Sequence, residues 1–107
     1  MSYSKYGNRK IKTEDGTFDS QKEYRRWQEL KLLQRAGEIK ELERQVKFEL
    51  IPNQNGERAI CYVADFVYID NRTGQRVVED AKGAKTDVYI IKRKLMLYRH
   101  NIRIKEV

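Results

Sequence analysis

The sequence predicts one mixed α/β domain of the α+β type, with the element order helix, strand, strand, strand, helix, strand. Two capped segments have the apolar spacing of helices. The segments between and after them alternate apolar with polar residues or are rich in β-branched and aromatic side chains. With 107 residues, the chain has room for one modest core, which everything from Asp19 onward can share.

The first 17 residues are predicted to form a basic arm that precedes a single domain at residues 18–107. They have no helical or strand periodicity, and their cations include Lys5, Arg9 and Lys10. Such an arm can lie along a phosphate backbone. A frayed terminus that binds nothing fits the same composition.

The first helix is predicted to begin at Asp19 or Ser20 and to end at Ala36. Ser20 and Glu23 fit a capping box, and Gly37 follows at the position where helices often end in a glycine. Glu23 also shares a helix face with Trp27 and Leu30, which would turn it toward the core. The spacing therefore leaves two roles open for Glu23, helix capping and membership of a buried site.

Three strands are predicted to follow. Apolar residues alternate with polar ones from Val46 to Leu50, and a long strand covers Ile60–Ile69. A hairpin turn at residues 70–74 leads into a partner strand at Gln75–Lys82.

The second helix is predicted at Asp87–His100, with Thr86 or Asp87 as its N-cap and Asn101 as a left-handed stop. A short last strand follows at residues 102–105, where two isoleucines alternate with cations. Helical spacing predicts that the core stripe of this helix consists of Val88, Ile91, Leu95 and Tyr98.

Asp65 is the first candidate site residue, because it interrupts the apolar odd-numbered face of the long strand. A carboxylate on such a face must be paired, hydrogen-bonded or metal-bound, since an isolated buried charge is very costly. Pairing with a lysine or a backbone amide would explain it without any metal.

Asp80 and Lys82 form the second candidate, two positions apart on the returning strand and so on one face of it. Glu79 is expected to point to the opposite face. A hairpin that brings Asp65 and Asp80 to nearby register lets both carboxylates share one cation, and Mg²⁺ prefers such oxygen ligands. Without that register, the same residues would be a solvated charge pair on an edge strand.

The combination resembles the PD-(D/E)xK, or restriction-endonuclease-like, nuclease superfamily. The resemblance rests on residues 18–23 (Phe-Asp-Ser-Gln-Lys-Glu), 64–66 (Ala-Asp-Phe) and 79–83 (Glu-Asp-Ala-Lys-Gly), and the element order matches the αβββαβ core of that fold. From about residue 4 to residue 107, the chain is also similar to a group of small phage-encoded proteins of this superfamily. Phage endonuclease I and the Holliday-junction resolvases have comparable spacing.

The resemblance implies a mixed central sheet flanked by helices and a metal-dependent DNA endonuclease. It implies Asp65 and Asp80 as metal ligands, Lys82 as the catalytic lysine and Glu23 as an acid that reaches the metal through water. The implied cofactor is Mg²⁺, for which Mn²⁺ would substitute. Ala64 stands where the superfamily pattern has proline, and Asp80 where glutamate is frequent.

The charge balance favours a nucleic-acid partner. The chain has 23 Lys+Arg against 16 Asp+Glu, a net charge of +7. Besides the basic arm, Lys85 and Lys92 are the expected phosphate contacts. Branched or structured DNA is the expected substrate, and a two-strand cut by single-site chains predicts a homodimer. The alternative is a non-catalytic DNA-binding accessory protein on the same fold.

The remaining composition fits a protein of the cytoplasm, which for a phage protein is that of the host cell. Cys61 is the single cysteine, so no disulfide forms within the chain, and it is expected to be a small core residue. No apolar run approaches the roughly 20 residues that span a bilayer, so no membrane contact is expected.

Overall fold

The computed structural model describes residues 10–81 and 85–107 of the chain. From α1 onward the order of elements is αβββαβ, which confirms the sequence prediction. The elements are β1 (Ile11–Thr13), β2 (Gly16–Phe18), α1 (Gln21–Arg35), β3 (Ile39–Ile51), β4 (Ile60–Asp70), β5 (Arg76–Asp80), α2 (Asp87–His100) and β6 (Lys105–Glu106).

The central sheet has four strands in the order β3-β4-β5-β6 and is mixed, as the resemblance implies. The first two pairs are antiparallel and β5–β6 is parallel. The two helices supply different core clusters: Leu30 of α1 packs with Phe66 and Tyr68, whereas Met96 of α2 packs with Tyr62 and Ala64. The sheet is therefore covered by one helix on each side.

Local caps set both ends of α1. The Ser20 hydroxyl accepts a hydrogen bond from the Glu23 backbone N–H at 3.1 Å, and the Glu23 carboxylate accepts one from the backbone N–H of Asp19 at 3.2 Å. Gly37 follows the helix with φ +82°, a conformation in which glycine avoids a Cβ penalty. The predicted capping box and glycine stop are confirmed.

Helix α2 has the predicted ends but a different buried face. Thr86 caps its first turn and Asn101 ends it in the left-handed conformation. Of the predicted core stripe, Leu95 packs against the core, but Val88, Ile91 and Tyr98 are 62%, 57% and 87% exposed, so that part of the prediction is wrong. Tyr89 and Met96 face the sheet instead. Arg93, on the same helix, pairs with Glu106 at 3.3 Å.

Side chains of β3 and β4 change faces at the middle of the sheet. Tyr62 and Ala64 pack on the α2 side, whereas Phe66 and Tyr68, also even-numbered, pack on the α1 side. Opposite this switch, Gln45 of β3 has φ +55°. The simple odd-and-even division of β4 that the sequence suggested is therefore wrong, and Val63 on its supposed core face is 46% exposed.

A β-hairpin of β1 and β2 precedes α1, where the sequence showed no periodicity. Its Asp15 carboxylate accepts hydrogen bonds from Trp27 Nε1 at 3.1 Å and Lys31 Nζ at 2.7 Å, which attach the hairpin to α1. These hydrogen bonds, with that of Lys31 the stronger, lower the pKa of Asp15. Phe18 at the end of the hairpin is fully buried. Residues 11–18 thus add a small two-stranded sheet to the core fold.

Several strand boundaries differ from the sequence predictions, three of them by two residues or more. Strand β3 begins seven residues before Val46, β5 ends at Asp80, and the last strand is formed by residues 105–106 rather than 102–105. Ile104 packs in the core although it precedes the last strand. Its apolar character therefore reflects burial and not membership of a strand. Neither helix in the described part of the chain has the length and apolar character needed to span a membrane.

Candidate metal and nucleic-acid site

Asp65 and Asp80 lie on the neighbouring strands β4 and β5 and are both buried, at 7% and 8% exposure. Asp65 Oδ2 accepts the backbone N–H of Ala81 at 2.7 Å, so Asp65 is held against the residue that follows Asp80. Asp80 Oδ2 accepts the Tyr62 hydroxyl at 2.7 Å. The backbone amide considered as an alternative partner for Asp65 is therefore present, next to the second carboxylate.

Tyr62 links the two carboxylates electrostatically. Burial raises its pKa most, followed by the hydrogen bond to Asp80 and by the negative charges of Asp80 and Asp65. The Asp80 carboxylate contacts this phenol directly on the α2 side of the sheet. The neutral Tyr62 hydroxyl serves as a fixed donor that orients Asp80.

Glu79 points to the opposite side of the sheet, which confirms the predicted division between the two neighbouring acids. It is fully buried and accepts two hydrogen bonds from the Arg26 guanidinium, at 2.9 and 2.7 Å, and another from the Tyr68 hydroxyl. Burial raises the pKa of Tyr68 most, and the bond to Glu79 adds to it. Glu79 therefore joins α1 to the sheet.

Glu23 is fully buried, and both of its carboxylate oxygens have partners. Oε1 accepts the Asp19 backbone N–H, and Oε2 accepts the Gln45 side-chain amide at 3.2 Å and lies 3.8 Å from Arg44 Nη2. The helix-capping role is confirmed. The role of an acid that reaches a metal through water stays a prediction.

The donor chemistry fits a divalent metal held by two carboxylates. Within residues 10–81 and 85–107, no three His, Cys, Asp or Glu side chains form a group that could hold a metal ion. Mg²⁺ commonly takes only one or two carboxylates and completes its octahedron with water and substrate phosphate. Asp65 and Asp80 fit that arrangement. Lys82, the predicted catalytic lysine, lies outside the described residues.

The predicted phosphate contacts fall in different surroundings. Lys10 is exposed and pairs with Asp19 at 3.2 Å, and Lys85 pairs with Glu106. Lys92 borders an apolar groove between α2 and the end of β4 that is lined by Ile60, Ile91 and other apolar residues. Lys5 and Arg9 lie outside the described residues.

A charged cluster that was not predicted from the sequence surrounds Glu106. The Glu106 carboxylate accepts hydrogen bonds from Lys85, from the Tyr89 hydroxyl at 2.7 Å and from Arg93 at 3.3 Å. These donors, with Lys85 the strongest, hold the pKa of Glu106 at about 2. One signal was available: no acidic residue occurs between Asp87 and Glu106, whereas cations are frequent there.

These features define a mixed α+β domain with two buried carboxylates on adjacent strands. A family model described as "Protein of unknown function (DUF1064)" matches residues 3–106, and the chain belongs to this family. Comparisons with curated proteins and with solved structures find no match.

Proposed function

We propose that this protein is a metal-dependent endonuclease of the PD-(D/E)xK superfamily, encoded by a phage, that hydrolyses phosphodiester bonds in structured or branched DNA. The observation that carries the proposal is the placement of Asp65 and Asp80. They are buried on adjacent strands of an αβββαβ sheet, and Asp65 accepts the backbone N–H of Ala81, the residue that follows Asp80. Buried carboxylates are costly to retain, and a bound cation gives such a pair a function.

In this proposal, Asp65 and Asp80 hold Mg²⁺, with Mn²⁺ as a substitute. The metal would polarise the scissile phosphate and stabilise the leaving 3′-oxygen. The Tyr62 hydroxyl and the Ala81 backbone N–H each fix one carboxylate oxygen, so the ligands are oriented before the metal binds. Lys82 positions the attacking water, and the product carries a 5′-phosphate.

The net charge of +7 supports a polyanionic substrate. Lys10, Lys85 and Lys92, together with Lys5 and Arg9, are proposed to contact the DNA backbone. Since each chain contributes one site, cutting both strands requires two chains. We therefore expect a homodimer in the host-cell cytoplasm, and light scattering of the purified protein would give its mass in solution.

A second candidate is a DNA-binding accessory protein that does not cut. It is favoured by the partners of Glu23, because both carboxylate oxygens are already hydrogen-bonded within the chain. Within the described residues the site has two acids and no third ligand, as a structural remnant would have. This candidate predicts DNA binding that weakens steeply with salt and does not respond to Mg²⁺.

Cleavage assays separate the two candidates. Labelled duplex, single-stranded, flap and four-way-junction DNA, with an RNA duplex for comparison, are incubated with the protein in Mg²⁺, Mn²⁺ or EDTA. The test variant is Asp80→Asn, and the matched control is Asp70→Asn, which removes the same charge from the end of β4. We expect metal-dependent cutting that Asp80→Asn abolishes and Asp70→Asn retains.

Absence of cutting on every substrate with both metals, despite tight binding, would exclude the nuclease. Cutting that persists in Asp80→Asn would exclude the proposed site while leaving a nuclease elsewhere in the chain.

A further inference from the structure

A pocket of about 330 Å³ lies beside α2 and β6. Its lining is formed by Arg93, Lys94, Leu97, Arg103, Ile104 and Glu106. Three of these six residues are cations and one is an acid. The pocket is therefore positively charged, with an apolar floor supplied by Leu97 and Ile104.

The positive charge of this pocket is poorly balanced within the chain. Arg93 pairs with Glu106 at 3.3 Å. In the parts of the chain that the structure describes, neither Lys94 nor Arg103 forms an ion pair with an acidic side chain, and both are exposed. Cations that converge on a concave surface without acidic partners attract an anion.

Glu106 shows that an anion is stable at the rim of the pocket. Its carboxylate accepts hydrogen bonds from Lys85, which precedes α2, and from Tyr89 and Arg93 of α2, and these donors hold its pKa at about 2. A phosphate group presents more acceptor oxygens than a carboxylate and suits the same fork of arginine donors. The carboxylate thus occupies a place that a phosphate oxygen can take.

The pocket is close to Asp80 because Glu106, which lines the pocket, lies on the strand next to Asp80 and accepts a hydrogen bond from Tyr89. Glu106 is the pairing partner of Asp80 across β5 and β6, and the Val107 N–H donates to the Asp80 carbonyl at 3.1 Å. Burial raises the pKa of Tyr89 first, and the charge of Asp80 contributes. A ligand in the pocket would therefore be a near neighbour of one held at Asp80.

We infer that this pocket binds a backbone phosphate of the nucleic acid, beside the phosphate that is cut, and that Glu106 competes with it for Arg93 and Lys85. The inference rests on the proposed function for the identity of the ligand. Phosphate contacts of this kind position a nucleic acid without reading its sequence. Each contact also releases counterions, so it steepens the salt dependence of binding.

Binding is measured by fluorescence anisotropy with a labelled four-way junction and a labelled duplex in EDTA, so that cleavage does not interfere. The pocket variant is Lys94→Gln/Arg103→Gln. The matched control is Lys22→Gln/Arg25→Gln, which removes two exposed cations from α1, on the other side of the sheet. A third variant, Glu106→Gln, removes the competing charge, and circular dichroism checks that each variant is folded.

We expect the pocket variant to lose at least about tenfold in affinity at low salt and to lower the slope of log K against log salt by up to about 2. The control should lose much less, and Glu106→Gln should bind more tightly than the parent protein. Free inorganic phosphate at millimolar concentration, added as a competitor, distinguishes a site for single phosphate ions from one that needs a polynucleotide.

Equal losses in the pocket and control variants would overturn the inference while leaving the nuclease intact. Weaker binding by Glu106→Gln would contradict the proposal that Glu106 competes with the phosphate for Arg93 and Lys85. Absence of any nucleic-acid binding by the parent protein would remove both this inference and the proposed function. Strong competition by phosphate alone would support the site as one for phosphate groups in general.

Discussion

The guanidinium of Arg26 binds the buried carboxylate of Glu79 through two hydrogen bonds, Nε to Oε1 at 2.9 Å and Nη2 to Oε2 at 2.7 Å. This pair joins α1 to β5 across 53 residues of sequence, directly beside Asp80. This ion pair raises the pKa of Arg26, mainly through the hydrogen bonds to Glu79. The two parallel hydrogen bonds also fix the guanidinium plane relative to the carboxylate plane. The position of Asp80 thus depends on an ion pair on the other side of the sheet.

Replacing Arg26 with methionine should destabilise the protein by about 3 kcal/mol, because it leaves the Glu79 carboxylate buried without its cation. Urea unfolding followed by circular dichroism measures the loss. Arg25→Met is the matched control, since Arg25 is exposed on the same helix and should change stability by less than about 0.5 kcal/mol. The double variant Arg26→Met/Glu79→Leu should recover much of the loss. A loss that is the same with and without Glu79 would contradict the pairing.

Replacing Tyr62 with phenylalanine should cost about 2 kcal/mol, because it removes a buried donor to the Asp80 carboxylate. Thermal and urea unfolding give the value, and Tyr98→Phe on the exposed side of α2 is the control. The cost should shrink markedly in an Asp80→Asn background, since the two residues share one hydrogen bond. Additive losses in the double variant would show that the Tyr62 hydroxyl acts independently of the Asp80 carboxylate.

Because of Glu106, the stability of the protein should depend on pH in the acidic range. Its folded pKa of about 2 lies below the ordinary value of 4.5, so its ion pairs stabilise the fold above pH 4.5. That contribution is lost as the pH falls toward 2. The difference in melting temperature between the parent protein and Glu106→Gln should therefore be largest near neutral pH and vanish near pH 2. Added salt should reduce it, because the group is solvent-exposed. A difference independent of pH would contradict the assignment.

Replacing Gly16 with alanine should cost about 2 kcal/mol. Its φ of +117° disfavours any side chain, and an added Cβ would lie 2.9 Å from Arg44 Nη1. Gly74→Ala is the control: its φ of +73° lies near the left-handed region that alanine can enter and its surroundings are open, so about 1 kcal/mol is expected. Urea unfolding compares the two. A smaller loss at Gly16 than at Gly74 would show that Arg44 moves aside freely.

The helices were predictable from sequence because their ends depend on local chemistry. Ser20, Glu23 and Gly37 act on backbone groups within a few residues, and so do Thr86 and Asn101. Asp65 was recognisable as a buried carboxylate because it interrupts an apolar strand. The opposite directions of Glu79 and Asp80 followed from strand alternation alone.

The structural features that could not be predicted from the sequence depend on contacts with residues elsewhere in the chain. The side chains of β4 change faces opposite Gln45 of β3, whose backbone is in the left-handed conformation. No sequence pattern within β4 predicts this change. The hairpin at residues 11–18 is too short for periodicity, and its Asp15 is bound by Trp27 and Lys31 of the helix. The buried face of α2 also departs from its apolar stripe, since Tyr89 and Met96 pack on the sheet while Arg93 pairs with Glu106 beyond the helix.

The adjacent acids of β5 also bear on how faithfully the sheet assembles. A slip of β5 by one position against β4 would send every side chain of the strand to the opposite face. Asp80 would then meet Arg26, and Glu79 would be pressed toward the cluster around Met96 with no cation to receive it. Because the slip would cost Glu79 its two hydrogen bonds from Arg26 and Asp80 its hydrogen bond from Tyr62, the two acids disfavour mispairing. Their order in the chain therefore selects one register while the protein folds, before any metal or nucleic acid is present.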